Sequence, residues 1–168
     1  LEYIAAVKTL KKSGVDARFQ ILGPPDPKHK RGIKTQVIEE WIESDTIQYL
    51  GTTNDVRQYI EQADCIVLPS YREGTPRTLL EAASSAKPII ATDVPGCNHV
   101  VVDQHNGLLC RIKDANDLAE KMKQLVSFDD ATLETFGRNG RLKMQAEYDE
   151  SFVINKYLQA LKKIKKAS

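Results

Sequence analysis

The sequence predicts an α/β chain built on a doubly wound parallel sheet, and three observations carry that prediction. Short apolar runs alternate with stretches of helical period over positions 1–112. The central runs, 65–68 and 88–91, are apolar throughout instead of alternating, as strands covered on both faces are. Strands separated by helices pair in parallel, because each helix carries the chain back across the sheet.

Leu1, Ile4, Ala5, Val7 and Leu10 recur with helical period, Lys8, Lys11 and Lys12 fall on the other side, and Gly14 stops the helix. A β-prone run at 17–22 ends at Gly23-Pro24-Pro25, and a polar loop with Lys28, His29, Lys30 and Arg31 follows. Residues 34–43 read as a helix, 47–50 as a strand, 55–62 as a short helix and 65–68 as a strand. A helix over 76–86 and a strand over 88–91 come next. A loop through Pro95-Gly96 then leads to a short turn at 100–102 and a last strand at 108–112. Helices at 115–126, 130–148 and 151–166 close the chain, a longer tail than one small sheet needs. That excess predicts packing across onto a further element.

The bulk properties exclude several classes. A chain of 168 residues holds one domain with a core of its own. A net charge of +1 supplies no field for nucleic acid. The lysines at 162, 163, 165 and 166 form a solvated helix end or touch acidic phospholipid. Cys65, Cys97 and Cys110 show no metal-ligand spacing, and a sparse odd set predicts free thiols in a reducing compartment, with Cys65 and Cys110 in the core. No run approaches 18 apolar residues, and no signal-peptide pattern opens the chain. The start at Leu1, directly in a helical pattern, reads as a boundary inside a longer protein.

In doubly wound sheets ligands bind beyond the carboxyl ends of the strands. Here that selects the loops after Leu22, Leu50, Leu68 and Ala91. The third carries the most chemistry: Glu73-Gly74-Thr75-Pro76-Arg77-Thr78-Leu79-Leu80-Glu81-Ala82. Thr75 is expected as the N-cap and Pro76 as the first helical residue, where its missing N–H is not needed. The exposed amides and positive dipole end of such a helix favour a phosphate. Glu73 precedes the helix and Glu81 lies inside it, so a phosphate would sit between two carboxylates able to grip hydroxyl groups. On these residues alone the competing reading stands beside it: Glu81 shares a solvated face with Arg77 and forms a weak ion pair there.

The run from Glu73 to Glu81, followed by Lys87-Pro88-Ile89-Ile90-Ala91-Thr92-Asp93-Val94-Pro95-Gly96 and Asn106-Gly107-Leu108-Leu109, resembles family 4 retaining glycosyltransferases. Their E-x7-E motif has this spacing, and Gly23 and Gly51 fit the same pattern. Glu-Ala-Ala-Ser-Ser-Ala-Lys-Pro stands where the family often has a Met and a Gly. The resemblance implies the Rossmann-like C-terminal half of a GT-B fold, with an acceptor-holding N-terminal domain elsewhere in the enzyme. It implies that Glu81 binds ribose hydroxyls and that Glu73 holds the transferred sugar near its reacting carbon. Gly74, Thr75, Pro76, Arg77, Thr78 and Leu79 would line the sugar and diphosphate, and the stretch from Gly51 and Thr52 would lie near the base.

The implied reaction is retaining, with no metal and no cofactor. It moves a sugar from a nucleotide diphosphate, UDP above all, to a saccharide or lipid-linked acceptor. The implied setting is bacterial surface polysaccharide or lipopolysaccharide assembly at the cytoplasmic face of the membrane. The family's diphosphate-holding Arg and Lys belong upstream of the first helix, so the isolated chain is expected to be inactive. A non-catalytic nucleotide-sugar-binding module is the rival reading. A dinucleotide dehydrogenase is disfavoured, since Gly23-Pro24-Pro25-Asp26 replaces G-x-G-x-x-G. His29, His99 and His105 are expected as loop histidines, Trp41 as a packing residue, and Tyr71 as either a crevice-edge contact or a surface ring. Asp64 precedes its strand, against a phospho-acceptor role. Asp129-Asp130 lies in the helical tail, away from any crevice metal.

Overall fold

The computed structural model describes residues 1–25 and 32–167. The loop holding Lys28, His29, Lys30 and Arg31 lies outside the described residues, as do the side chains of Lys163, Lys165 and Lys166. In chain order the elements are α1 (Glu2–Lys12), β1 (Gln20–Ile21), α2 (Thr35–Glu43), β2 (Gln48–Tyr49), α3 (Arg57–Gln62), β3 (Ile66–Leu68) and α4 (Arg77–Ser84). They continue with β4 (Ile89–Thr92), α5 (Cys97–Val100), β5 (Gly107–Cys110), α6 (Ala115–Val126), α7 (Asp130–Glu147) and α8 (Glu150–Ala167).

Every strand pairing is parallel, as the alternation predicts. β4 lies between β3 and β5, with Ile90 opposite Val67 and Leu108. Its four residues are all buried, and they alternate between two cores. Ile90 joins Leu108, Cys110, Val7, Leu10 and Leu118 under α1 and α6. Ile89 and Ala91 join Leu79, Ala82, Cys97 and Val100 under α4 and α5. A strand covered on both sides has no polar face, which explains the unbroken apolar run. Each fully buried aliphatic side chain contributes about 1.5–3 kcal/mol of transfer free energy.

The structure corrects several expectations. Among the described residues the strands do not form one continuous sheet: β1 pairs with β2, and β3-β4-β5 form a separate three-stranded sheet. β3 is therefore an edge, and its apolar residues are half-buried rather than covered. Cys65 shares that half-burial, whereas Cys97 and Cys110 are core residues and all three thiols are free. The turn expected at 100–102 is a short helix three residues earlier, nucleated where Cys97 and Asn98 donate to the Val94 carbonyl.

Other expectations hold. Trp41 is buried in the first core. Asp129 caps α7 by accepting from the Thr132 amide at 2.8 Å, a structural use of an acidic pair that had no crevice to serve. Of the closing helices, α6 covers α1 and α7 covers α4. α8 leaves Phe152, Ile154, Tyr157 and Leu158 exposed, so the excess apolar surface of the tail is real.

Candidate functional site

The start of α4 is the centre of the site, and three contacts fix it. Pro76, not Thr75, is the N-cap, with ψ of 121°, and no side chain caps the helix. The pyrrolidine ring is buried, and its carbonyl accepts from Leu79 at 3.0 Å and Leu80 at 3.2 Å. Sequence reasoning placed the helix start one residue early, because Pro76 suits a cap as well as a first turn. The consequence is chemical: among the described residues the amides of Arg77 and Thr78 have no acceptor, as expected for a first turn.

The second contact comes from Gly96. A Cβ there would lie 2.0 Å from the Gly74 carbonyl oxygen and 2.7 Å from that of Glu73, and its φ is +92°. The loop after β4 thus presses backbone against backbone on the loop that carries the glutamate. The third contact is behind the helix. Gly137 of α7 abuts the Ala86 carbonyl, where a Cβ would lie 1.9 Å away, and Arg141 donates to the Ser84 carbonyl at 3.1 Å. α4 therefore cannot slide or tilt without moving α7.

Around this helix the loops beyond β1 and β2 are tied together. Gly23 donates its amide to the Gly51 carbonyl at 2.9 Å, and the Tyr49 hydroxyl donates to the Gly23 carbonyl at 2.8 Å. Both glycines hold positive φ, +139° and +78°, so their presence answers a backbone need. Gly23, Leu50, Thr53, Pro69, Thr78 and Glu81 border one cavity of about 830 Å³. The structure thus brings Gly23, Thr78 and Glu81 onto a common space. Gly51 and the exposed Thr52 lie between Leu50 and Thr53 at its rim.

Glu73, Gly74, Thr75 and Arg77 stand outside that lining, on the approach to the helix end. Glu73 is half-buried beside Cys97, whose thiol is pushed up to about 11 by burial and, secondarily, by the Glu73 charge. Leu79 is fully buried, so its side chain belongs to the second core. Glu81 lies four residues beyond Arg77, about 6 Å along the axis. Arg77 approaches it to 3.7 Å, an exposed pair of small energetic value. Glu81 thus both pairs with Arg77 and borders the cavity.

Tyr71 accepts neither reading alone: its hydroxyl bonds the Glu2 carboxylate and Lys113 lies 5.5 Å over its ring. His99 is exposed on α5, where its carbonyl accepts from the Tyr148 hydroxyl. Among the described residues no group of three or more His, Cys, Asp or Glu side chains is placed to hold a metal ion, and no helix is long and apolar enough to cross a membrane.

Two residues were missed as site builders. Gly96 was visible only as part of a motif. Asn106 is fully buried, accepting from the Val102 amide at 2.6 Å and donating to the Val100 carbonyl at 2.9 Å, and so locks the turn between α5 and β5. The signal for both was a Gly or Asn beside a predicted strand, and only the tertiary contact gives it meaning.

Comparison with known proteins places this geometry. The chain is 32% identical over 120 residues to the N,N'-diacetylbacillosaminyl-diphospho-undecaprenol alpha-1,3-N-acetylgalactosaminyltransferase of Campylobacter jejuni, a match over 71% of this chain and 31% of that protein. It is 32% identical over 95 residues to the UDP-Gal:alpha-D-GlcNAc-diphosphoundecaprenol alpha-1,3-galactosyltransferase of Escherichia coli, over 56% of this chain and 24% of that protein. The chain thus spans a third or less of these two relatives. The structure of sucrose-phosphate synthase from Thermosynechococcus elongatus superposes with a TM-score of 0.82 over 99% of this chain and 43% of that one, at 26% identity. The fold is the Rossmann-like half of the GT-B architecture. Residues 2–127 match the family described as Glycosyl transferases group 1, and with the α4 site and the parallel fold in agreement, the chain belongs to that family.

Proposed function

We propose that this chain is the sugar-donor-binding domain of a larger two-domain enzyme, a retaining transferase that takes a sugar from UDP and gives it to a lipid-linked saccharide. The observation that carries the reading is the unsatisfied amide end of α4, with Glu81 and Thr78 on the cavity and Glu73 at its approach. The diphosphate sits at the Arg77 and Thr78 amides. Their fixed dipoles stabilise the charge that grows on the leaving phosphate as the glycosidic bond breaks, and they do so without a metal. Glu81 accepts the two ribose hydroxyls. Glu73 accepts hydroxyls of the sugar and fixes its ring over the bond to be broken. Gly51 and Thr52 border the base.

Support for the substrate class comes from the two relatives named above, whose names record diphospho-undecaprenol acceptors and, in one case, UDP-Gal. Both names record alpha linkages, the product that retention gives from an α-linked nucleotide sugar. A lipid-linked acceptor sets the work at the cytoplasmic face of a membrane, in surface polysaccharide assembly. Residues 1–168 on their own bind the sugar donor weakly and do not turn it over, because the acceptor is held by the other domain of the enzyme.

The test is thermal shift of the full-length protein with UDP-, GDP- and ADP-sugars, followed by transfer assays on the preferred donor. A ligand at 100 times its Kd adds about 2.7 kcal/mol of stability, well above detection. Stabilisation by UDP-sugars with transfer is expected. Stabilisation without transfer to any lipid-linked or free saccharide sinks the enzyme reading, and no stabilisation by any nucleotide sugar sinks the site.

A further inference from the structure

Glu81 already has a partner before any ligand arrives. Its carboxylate borders the cavity and is also paired with Arg77, whose Nη2 lies 3.7 Å from Oε1. That separation exceeds the reach of a hydrogen bond, about 2.7–3.2 Å, so charge alone holds the pair. Order weakens it further: an i,i+4 pair is better with the acid ahead of the base, and here the arginine comes first. α3 shows the contrasting case. It too opens on an arginine, but Asp55 takes the Arg57 guanidinium by two bonds, at 2.8 and 2.6 Å, and that cation is committed. The Arg77 side chain is 90% exposed and can turn.

The helix sets the direction of that turn. Side chains on a helix tilt toward its amino end. The Glu81 stem therefore leans back toward Arg77, while the Arg77 stem leans away from Glu81, toward the open amides of Arg77 and Thr78. A cation in the first turn stands against the positive end of the helix dipole, and no acidic residue of that turn offsets it. Among the described residues that border the cavity the one lysine or arginine is Arg18, which stands ahead of β1, at the opposite end from the α4 site. Arg77 is the cation carried on the end of α4 itself.

We propose that Arg77 is an exchangeable counter-ion, and that the exchange makes the site selective for nucleoside diphosphates over nucleosides. Without ligand it holds Glu81. A diphosphate at the helix end draws the guanidinium away, and Glu81 is released to accept the ribose hydroxyls. A nucleoside without phosphate must take Glu81 from Arg77 and gives the guanidinium nothing in return. The inference rests on the sugar-donor reading of the site and adds to it a coupling between the phosphate and ribose contacts.

The test is binding of uridine and of UDP, by NMR titration or calorimetry at low ionic strength, to the full-length protein and its Arg77→Met variant. Methionine keeps the stem, forms helix well and removes the charge at an exposed position, so the fold is kept. UDP is expected to bind the variant about tenfold or more weakly, as befits a lost charge-assisted bond to phosphate. Uridine is expected to bind it about twofold more tightly, since an exposed ion pair no longer competes for Glu81. UDP bound as tightly by the variant overturns the proposal, because the guanidinium then does not reach the phosphates. Uridine bound no more tightly also overturns it, because Arg77 then does not hold Glu81. A crystal structure of the full-length protein with UDP separates this proposal from the reading beneath it. UDP at α4 with Arg77 still on Glu81 refutes the exchange and leaves the donor site standing, whereas failure of the unaltered protein to bind UDP sinks the donor site and the exchange together.

Discussion

Gly96→Ala is the sharpest perturbation of the proposed site, because it touches no ligand group and acts only through backbone. The added Cβ lies 2.0 Å from the Gly74 oxygen, and ordinary contact begins at 3.4 Å, so the Glu73-Gly74 loop must retreat by about 1.4 Å. The alternative is to rotate Gly96 out of its φ of +92°, which would move α5, since Gly96 is its N-cap. Holding alanine at that φ costs about 1–2 kcal/mol. The larger effect falls on chemistry. A displacement of about 1 Å at a positioned group costs on the order of 100-fold in rate. We expect the full-length Gly96→Ala enzyme to fold, to lose about 1–3 kcal/mol of stability, and to lose about 100-fold in kcat/KM. Steady-state transfer kinetics and urea melts measure the two. Full activity in a protein whose stability has fallen would show that the loop position is not what the reaction requires, and would refute the argument.

Further perturbations separate structure from function. Glu81→Ala and Glu73→Ala should each cut transfer by the full-length enzyme sharply, and Glu81→Ala should change stability by no more than about 0.5 kcal/mol, the value of an exposed i,i+4 pair; unchanged kinetics in both variants would return them to a solvated face. Asn106→Ala orphans the Val102 amide and the Val100 carbonyl together, so a loss of about 2–4 kcal/mol is expected in chemical denaturation, and a loss below 1 kcal/mol contradicts the turn assignment. Gly137→Ala drives a methyl group onto the Ala86 carbonyl and should destabilise by about 1–3 kcal/mol, with transfer falling as α4 shifts; a neutral melt would mean that α7 gives way freely. Acid stability follows from four carboxyls held below their ordinary values. Hydrogen bonds from Tyr71, Thr132 and Ser151 lower Glu2, Asp129 and Asp149, and Arg57 holds Asp55 at about 2. A depressed folded value means that the stability is complete above the unfolded carboxyl range near 4 and is lost as pH falls through the folded values. Melting temperature should therefore drop between about pH 4 and pH 2, and Asp55→Asn should lessen the drop at the acid end.

The parallel α/β class was legible because apolar periodicity reports burial directly: the unbroken run at β4 can be satisfied only by cover on two faces. The place of the candidate site was legible because a helix that follows a strand opens at the carboxyl edge of the sheet. What escaped was everything set by contact between distant segments. Nothing local distinguishes Pro76 as a cap from Pro76 as a first residue, since its fixed φ serves both. Nothing local says that Gly96 faces Gly74, or that Gly137 faces Ala86. The run at β3 was misread as fully covered, because a sequence shows what a strand is fit for and not which neighbours the chain at hand supplies.

The contacts that fix α4 also set the two glutamates of the proposed site in different mechanical surroundings. Glu81 rides on a helix held from behind by Gly137 and Arg141, so its distance from the helix start is set by helical geometry and is rigid. Glu73 sits on a loop against which the backbone of Gly96 presses closely. The ribose end of the ligand would thus meet a fixed group, and the sugar end a group that shifts with the β4–α5 loop. If that asymmetry governs the reaction, changes at Gly96 should act mainly on kcat while changes at Gly137 raise KM as well, because the second moves the whole cradle and the first only the reacting end. Equal effects on both constants from the two substitutions would show that the helix and the loop move as one body, and the division of labour between the carboxylates would then have no structural basis.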